Sequence, residues 1–254
     1  MILALDVGNT NIVVGCIENG EIRNIFRIRT DVNQTYIEYA VKLREIFEIL
    51  KVDTDAFEGA IVSCVVPPVT KSLTDAVKLL TGLDCKVVGP GMKTGLNVCI
   101  DDPGTLAADL AVGAVAAINC YGSPCIIVDM GTATTITVVD GKNRFLGGAI
   151  MPGVNLSYSA LSSGTSLLPH ISIVPPPKAV GSNTIDCMRS GAVFGNAAMI
   201  DGMIDRMEEE LGVKCNLVVT GGLASSVTKY CRHELICDDD LLLKGLWILY
   251  NKNK

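Results

Sequence analysis

The chain has little charge, few aromatic residues and almost no histidine. Only 19% of its 254 residues are charged, against roughly 25% in an average soluble domain, while 49% are hydrophobic. Those proportions exclude disorder and place much of the chain in an interior. Long apolar runs are missing too. The most apolar stretches, Gly59–Val69 and Cys125–Val139, are broken by Gly, Pro, Asp or Thr well before the roughly 18 residues of a membrane span. The segment Met1–Asp6 has no basic residue ahead of its apolar run and meets an acid too soon for a signal peptide, so a cytoplasmic location is expected. Basic charge is scarce, with 21 Lys and Arg against 27 Asp and Glu, and no basic run before the last few residues. Nucleic acid is therefore not expected as a main partner. An anionic small molecule remains compatible, because backbone N–H groups and a cation can hold phosphate without a basic surface.

Other chemistries fall away for want of residues. His170 and His233 are the only histidines and stand apart, and the ten cysteines include no Cys-x-x-Cys pair. Zinc is excluded on that spacing, and the cysteines read as reduced, small core hydrophobes. Neither a Walker A pattern nor Gly-x-Gly-x-x-Gly occurs, which removes the P-loop and Rossmann readings.

What is present is a repeat. Ile2–Cys16 is an apolar run, Asp6, a glycine turn at Gly8, polar residues and a second apolar run. Cys125–Val139 repeats the pattern, with Asp129 matching Asp6 and Gly131 matching Gly8 at a constant offset of 123 residues, close to half the chain. The chain divides accordingly into halves, 1–116 and 117–254. Each opens on β-branched runs around a tight turn, a hairpin signature, with a third strand at Glu21–Arg29 and Arg144–Ile150. Ile37, Val41, Leu43, Ile46, Phe47 and Leu50 recur at helical spacing. Gly59–Val66 reads as a buried strand ended by Pro67-Pro68, and Leu106–Asn119 as an Ala-rich helix suited to close packing at the join. A long helix over Asp186–Leu211 should be interrupted near Gly191 and Gly195, and Leu217–Val219 is a strand running into Thr220-Gly221-Gly222. Pro175-Pro176-Pro177 marks a loop inside the second half.

Two βββαβα-type halves, each opened by an acid and a glycine turn, resemble the actin, hexokinase and Hsp70 superfamily. The resemblance implies an α/β fold of two similar ribonuclease-H-like halves with mixed sheets and a nucleotide cleft between them. A tight glycine turn exposes several N–H groups to phosphate oxygens, hydroxyls add donors, and Asp at a strand end can hold a cation or its water shell. Asp6 and Asp129 are cation candidates on this reading, and equally good turn formers through side-chain-to-backbone bonds. Phosphoryl transfer to an alcohol also needs a base. Asp109 is the candidate, a lone carboxylate in the apolar segment Leu106–Ala114 that is costly to bury unless solvated or partnered. It could instead cap the helix or face solvent. Gly147-Gly148 and Pro152-Gly153 are turn residues that could let a helix start near the cleft, and Gly221-Gly222 could pass close to a flat base such as adenine or simply turn.

Several stretches together resemble the type III pantothenate kinases over almost the whole chain. They are Asp6–Asn11, Ser63–Pro68, Lys93–Leu96, Asp129–Thr135, Gly147–Gly153, Gly181–Thr184 and Thr220–Gly222. The resemblance implies phosphorylation of pantothenate by ATP at its primary hydroxyl, the first committed step towards coenzyme A. It also implies Mg²⁺, a monovalent cation (K⁺ or NH₄⁺) and a homodimer. By position, Asp6, Val7, Gly8, Asn9, Thr10, Asn11, Ile12 and Val13 would cradle the ATP phosphates, with Thr132 on the nucleotide from the second turn. Asp129 would bind the monovalent cation and Asp109 would accept the proton. Ala107, Ala108, Asp109, Leu110 and Thr184 would contact pantothenate. The family usually has Gly-Ala-Asp-Arg where this chain has Ala107-Ala108-Asp109-Leu110, so a guanidinium that could pair with a carboxylate or phosphate is replaced by leucine. A non-catalytic nucleotide-binding protein on the same scaffold, or a kinase of another small alcohol or acid, are the alternatives. Lys93–Leu96 and Gly181–Thr184 argue against a sugar kinase.

Overall fold

In the computed structural model, which describes residues 1–254, the apolar start of the chain forms strand β1 (Ile2–Val7), buried along its length. A hairpin leads into β2 (Asn11–Glu18), and Asn19-Gly20 turns the chain into β3 (Glu21–Arg29). Both turn residues have positive φ, +53° and +87°, as a two-residue type I′ hairpin requires. Helix α1 (Tyr36–Leu50) starts at a capping box: Thr35 accepts from the Glu38 N–H, and the Glu38 carboxylate accepts from the Thr35 N–H. Its period is the one read from the sequence, but only part of that set is buried. Tyr39, Ala40, Leu43 and Phe47 are inside, whereas Ile37, Val41 and Leu50 are exposed.

Strand β4 (Gly59–Cys64) ends two residues earlier than expected, and Pro67-Pro68 do more than end it. They open helix α2 (Pro67–Thr81) at positions where no N–H is needed. After β5 (Cys85–Val87), the first sheet has the order β3-β2-β1-β4-β5, with β1 antiparallel to β2 and parallel to β4. One face of it packs on α1 and α2 through Leu3, Leu5, Val7, Leu43, Phe47 and Leu73.

The second sheet repeats the first. Strands β7 (Cys125–Met130), β8 (Ala133–Val139), β9 (Arg144–Pro152), β10 (Asn216–Thr220) and β11 (Ile236–Cys237) stand in the order β11-β10-β7-β8-β9, with the same directions at its centre. The short β6 (Asn97–Val98) adds an edge beside β9. Gly147-Gly148 are not turn residues: they lie within β9, where the pairing with β8 shifts by a bulge and Gly147 takes φ +110°. Helix α3 (Ala108–Tyr121) precedes this sheet. Helix α4 (Val154–Ser163) starts after Gly153, and α5 (Thr184–Ser190) runs through one wide turn, Gly191–Gly195, into α6 (Asn196–Leu211). The interruption read from the two glycines is thus a π-type turn, and the helix begins at Thr184 rather than Asp186. Residues 164–183, with the three prolines, carry no helix or strand. The short α7 (Ala224–Val227) follows β10.

The last helix, α8 (Leu241–Lys252), corrects the division at 116/117. One compact unit comprises Met1–Leu96, Asp102–Ala116 and Asp240–Lys254, and the other Asn97–Asp101 and Ala117–Asp239. The C-terminal helix therefore belongs to the first unit. It covers the other face of the first sheet together with α3, through Ile2, Ala4, Ile61, Val112, Val115, Leu243, Leu246 and Leu249. Glycines make the close approach possible: a Cβ on Gly245 would overlap the Val112 carbonyl, and one on Gly59 would overlap Tyr250. No disulfide joins the cysteines, but only Cys16 and Cys125 are fully buried, their thiols pushed up to about 12 by burial. Cys99, Cys120, Cys187 and Cys237 are exposed, which corrects the reading of all ten as core.

Gly245→Ala sets a helix-propensity gain of up to ~1 kcal/mol against a clash with backbone that side-chain rotation cannot relieve. The clash should win, destabilising the first unit by about 1–3 kcal/mol in chemical denaturation. Unchanged or raised stability would refute the close crossing of α3 and α8.

Candidate active site

In the first unit the candidate residues gather at the C-terminal end of β1. The turn Gly8–Thr10 is braced by Thr30, which follows β3: the Thr30 hydroxyl donates to the Gly8 carbonyl at 2.7 Å, and the Thr30 N–H to the Thr10 carbonyl at 3.0 Å. The Gly8 N–H donates to the Asn11 carbonyl at 3.0 Å, closing the loop. Asn9, Thr10 and Asn11 are exposed, as a phosphate cradle needs. Val7 and Ile12 are not: their side chains are in the core between sheet and helices, so only their backbone could meet a ligand.

Strand alternation decides which way Asp6 points. Leu3, Leu5 and Val7 face α1 and α2, so Ile2, Ala4 and Asp6 face α3 and α8. In the parallel register Asp6 stands opposite Ser63 of β4, which shares that face with Ile61. The second sheet has the same pair, Asp129 opposite Thr220 of β10. Ser63 and Thr220 are both buried. Sequence reasoning gave neither a role, because the offset of 123 residues that relates the hairpins grows to 157 at these later strands. The register alone brings them together.

Asp109 opens α3, one turn before Val112, on the helix that packs against the Asp6 face. Its carboxylate accepts from the Leu110 N–H at 2.7 Å and makes no ion pair. Burial pushes its pKa above the ordinary carboxylate range, opposed by backbone N–H groups of Leu110 and of Asp109 itself. A carboxylate held in that way is a stronger proton acceptor than one in water. Ala107 and Leu110 beside it are half-buried. Lys93, which could in principle replace a lost cation, serves α8 instead. Its N–H donates to Asn253 Oδ1 at 2.9 Å, its carbonyl accepts from Asn253 Nδ2 at 3.0 Å, and its side chain is exposed.

In the second unit three glycine segments converge on one turn. Gly131-Thr132 links β7 to β8, and the Gly153 N–H donates to the Thr132 carbonyl at 3.0 Å. Gly153 has no room for a Cβ against the Gly131 and Thr132 carbonyls. Gly221, at φ +104°, passes so close to β7 that a Cβ would lie 2.6 Å from Met130 backbone atoms. Gly222 is exposed. Gly153 also caps α4 without a side chain, leaving first-turn N–H groups beside the turn, an arrangement suited to an anion. Thr184 is the exposed first residue of α5, behind Asn183, which caps the helix by accepting from the Asp186 N–H at 2.9 Å. Thr184 thus lies in one unit and Ala107–Leu110 in the other.

The donors at both strand ends are carboxylate and hydroxyl oxygens, hard ligands that suit Mg²⁺ or K⁺ rather than zinc. No three His, Cys, Asp or Glu side chains gather into a metal cage.

A family profile described as type III pantothenate kinase matches residues 2–206, four-fifths of the sequence. The chain belongs to that family. Phosphorylation of pantothenate with ATP as donor, on the route to coenzyme A, is accordingly its activity. Solved structures agree on the fold. A Campylobacter jejuni protein described as a Baf family transcriptional activator is 20% identical, with a TM-score of 0.56 over 99% of this chain and 98% of that one. Component A of (R)-2-hydroxyglutaryl-CoA dehydratase from Acidaminococcus fermentans is 14% identical, at TM-score 0.60 over 100% and 99%. A polyphosphate/ATP-glucomannokinase from an Arthrobacter species is 13% identical, at 0.51 over 100% and 99%. The two-sheet, hexokinase-like architecture is shared across all three. No helix is long and apolar enough to cross a membrane.

A raised carboxylate pKa has a definite sign in stability. Folding favours protonated Asp109, so its ionisation costs stability as pH rises from the unfolded-state pKa through the higher folded one. Asp109→Asn should therefore raise Tm at pH 7, and the gain should vanish at a pH low enough to protonate the carboxyl in both states. If the gain persists unchanged in acid, burial of the charge is not its cause.

Proposed function

We propose that Asp109 accepts the proton of the pantothenate primary hydroxyl as that oxygen attacks the γ-phosphorus of ATP. The observation that carries the reading is the position of Asp109: half-buried, unpaired with any cation, and in the first turn of the helix that packs on the Asp6 face. Burial raises the basicity of Asp109, and its two backbone N–H bonds limit the rise while fixing the carboxylate. Backbone N–H groups of Gly8–Asn11 and the hydroxyl of Thr10 hold phosphate oxygens on the first turn, and Thr132 does so from the second. Asp6 and Asp129 hold cations through oxygen, Asp6 the Mg²⁺ that accompanies ATP and Asp129 a monovalent ion, K⁺ or NH₄⁺. Cations held there would supply the positive charge that this acidic chain has few basic residues to offer the phosphates. Half-buried Gly221 and exposed Gly222, both without side chains, leave a flat surface for adenine.

Ala107–Leu110 contact pantothenate. Leu110 offers no charge, so the substrate carboxylate lacks the guanidinium that the family usually places there, a charge-assisted bond worth roughly 1.5–3 kcal/mol. A high KM for pantothenate follows.

A homodimer in the cytoplasm completes the reading. The second unit exposes Ile150, Leu167 and Val180 at 75, 90 and 78%, with half-exposed Leu156 on α4, apolar side chains that a second copy could cover.

The activity test is release of ADP from ATP. Release should require pantothenate, run faster in K⁺ than in Na⁺, and fall by about 10²–10⁴ in Asp109→Asn while nucleotide binding is kept. Full turnover by Asp109→Asn would remove the assignment of the base. Independently, Ile150→Asp should shift the protein from dimer to monomer in sedimentation, and a monomeric parent would refute the dimer.

A further inference from the structure

Four buried side-chain polar atoms lack a hydrogen-bond partner, and two of these are hydroxyls beside the candidate turns: Ser63 Oγ and Thr134 Oγ1. They are not alike. Thr134 pairs with Met130 in the register, so it shares the face of Met130 and Val154 in the apolar core, away from Asp129. Ser63 pairs with Asp6 and shares its face. It is 0% exposed and Asp6 is 8% exposed.

An unpartnered hydroxyl in a dry interior loses its bonds to water with nothing in exchange, and alanine would avoid the cost. Nothing in the sheet requires a hydroxyl at this place, since neighbouring Ile61 and Val62 pack as hydrocarbons. A bonding partner that arrives with the ligand accounts for it. The second half supports the point from a separate stretch of chain, with buried Thr220 placed opposite Asp129 as Ser63 is opposite Asp6.

We propose that Ser63 is a positioning residue for the hydrated divalent cation at Asp6, its hydroxyl completing the hydrogen bonds of a cation-bound water. This rests on the reading of Asp6 as the residue beside the ATP cation. The donor set fits: one carboxylate and one neutral oxygen on adjacent parallel strands suit a cation that keeps most of its water. Ser63 moves no proton of the reaction. It fixes where the hydrated ion stands, and therefore where the phosphates are held.

The experiment titrates Mg²⁺ at fixed ADP on the full-length protein, reading ADP affinity by calorimetry and the ADP-dependent rise in Tm. Wild type should bind ADP more tightly as Mg²⁺ is added. Ser63→Ala should keep or raise the Tm of the free protein, bind ADP normally without Mg²⁺, and need roughly tenfold more Mg²⁺ for half the effect. Ser63→Thr, which keeps the hydroxyl as Thr220 does, should stay closer to wild type in Mg²⁺ requirement than Ser63→Ala. A Mg²⁺ titration of Ser63→Ala that overlays wild type overturns the inference while leaving Asp6 untouched. A fall in the Tm of free Ser63→Ala with no change in Mg²⁺ requirement overturns it too, in favour of a packing role. Mg²⁺-independent ADP binding by wild type would overturn the reading of Asp6 itself.

Discussion

Parallel pairing at the centre of each sheet constrains everything else in this molecule. Because β1 runs parallel to β4 and β7 to β10, the carboxyl ends of these strands finish together. A parallel connection needs a crossover, so helices must cover the sheet faces, and the strands between them become apolar on both sides. That is why β1 is buried from Ile2 to Val7, and why the low charge content of the chain is a consequence of topology. The strand ends are the places where such a sheet can present polar groups. Asp6 and Asp129 occupy them, each followed by a turn and opposed by a hydroxyl.

The two halves keep the same sheet but hold their turns differently. In the first, the Thr30 side chain and backbone brace Gly8 and Thr10 from a neighbouring strand. In the second, no such clamp is needed because Gly153 and Gly221 bring backbone directly against Gly131, Thr132 and Met130. A side chain at either glycine would push the turn out of place. Glycine thus works here by permitting contact, where in the Asn19-Gly20 turn it works by permitting positive φ. Both uses lead to rigid turns, and rigidity matters for a phosphate cradle, since donors already in place lose little freedom on binding.

Much of this could be read from the residues, and the unreadable parts have physical causes. The hairpins were legible because an Asp, a glycine and β-branched runs recur at one spacing, and register in a hairpin is local. The third strands follow at the same offset, Glu21 and Arg144 standing 123 apart. Past them the halves diverge, with α4, residues 164–183 and the long α5–α6 helix inserted between β9 and β10, so Ser63 and Thr220 no longer align. The placement of α8 was hidden for a different reason. Its apolar face would suit either sheet, and only the gaps left by Gly15, Gly59 and Gly245 identify the one it fits. Helix α1 showed the right period, with Leu43 and Phe47 inside, but Ile37 and Val41 are as apolar as these and lie outside. Tyr39 gave no warning of being fully buried, and its hydroxyl is satisfied there by the Asp31 carbonyl at 2.8 Å.

Asp109 shows how function sets a limit on stability in this fold. Helix α3 consists largely of alanine, valine and glycine, residues chosen for contact with α8 and with the sheet. A carboxylate in its first turn gains nothing from that packing and is desolvated by it. Solvating it fully would restore an ordinary pKa and a weaker base, while pairing it with a nearby cation would lower the pKa further. Two backbone N–H groups offer the intermediate solution, since they orient the charge without neutralising it. An arginine as the very next residue would add positive charge to that helix end. Leu110 leaves Asp109 without it. On the proposed reading, the change that weakens the grip on an acidic substrate also preserves the basicity of the group that takes its proton, so substrate affinity and base strength are set against each other by a single position.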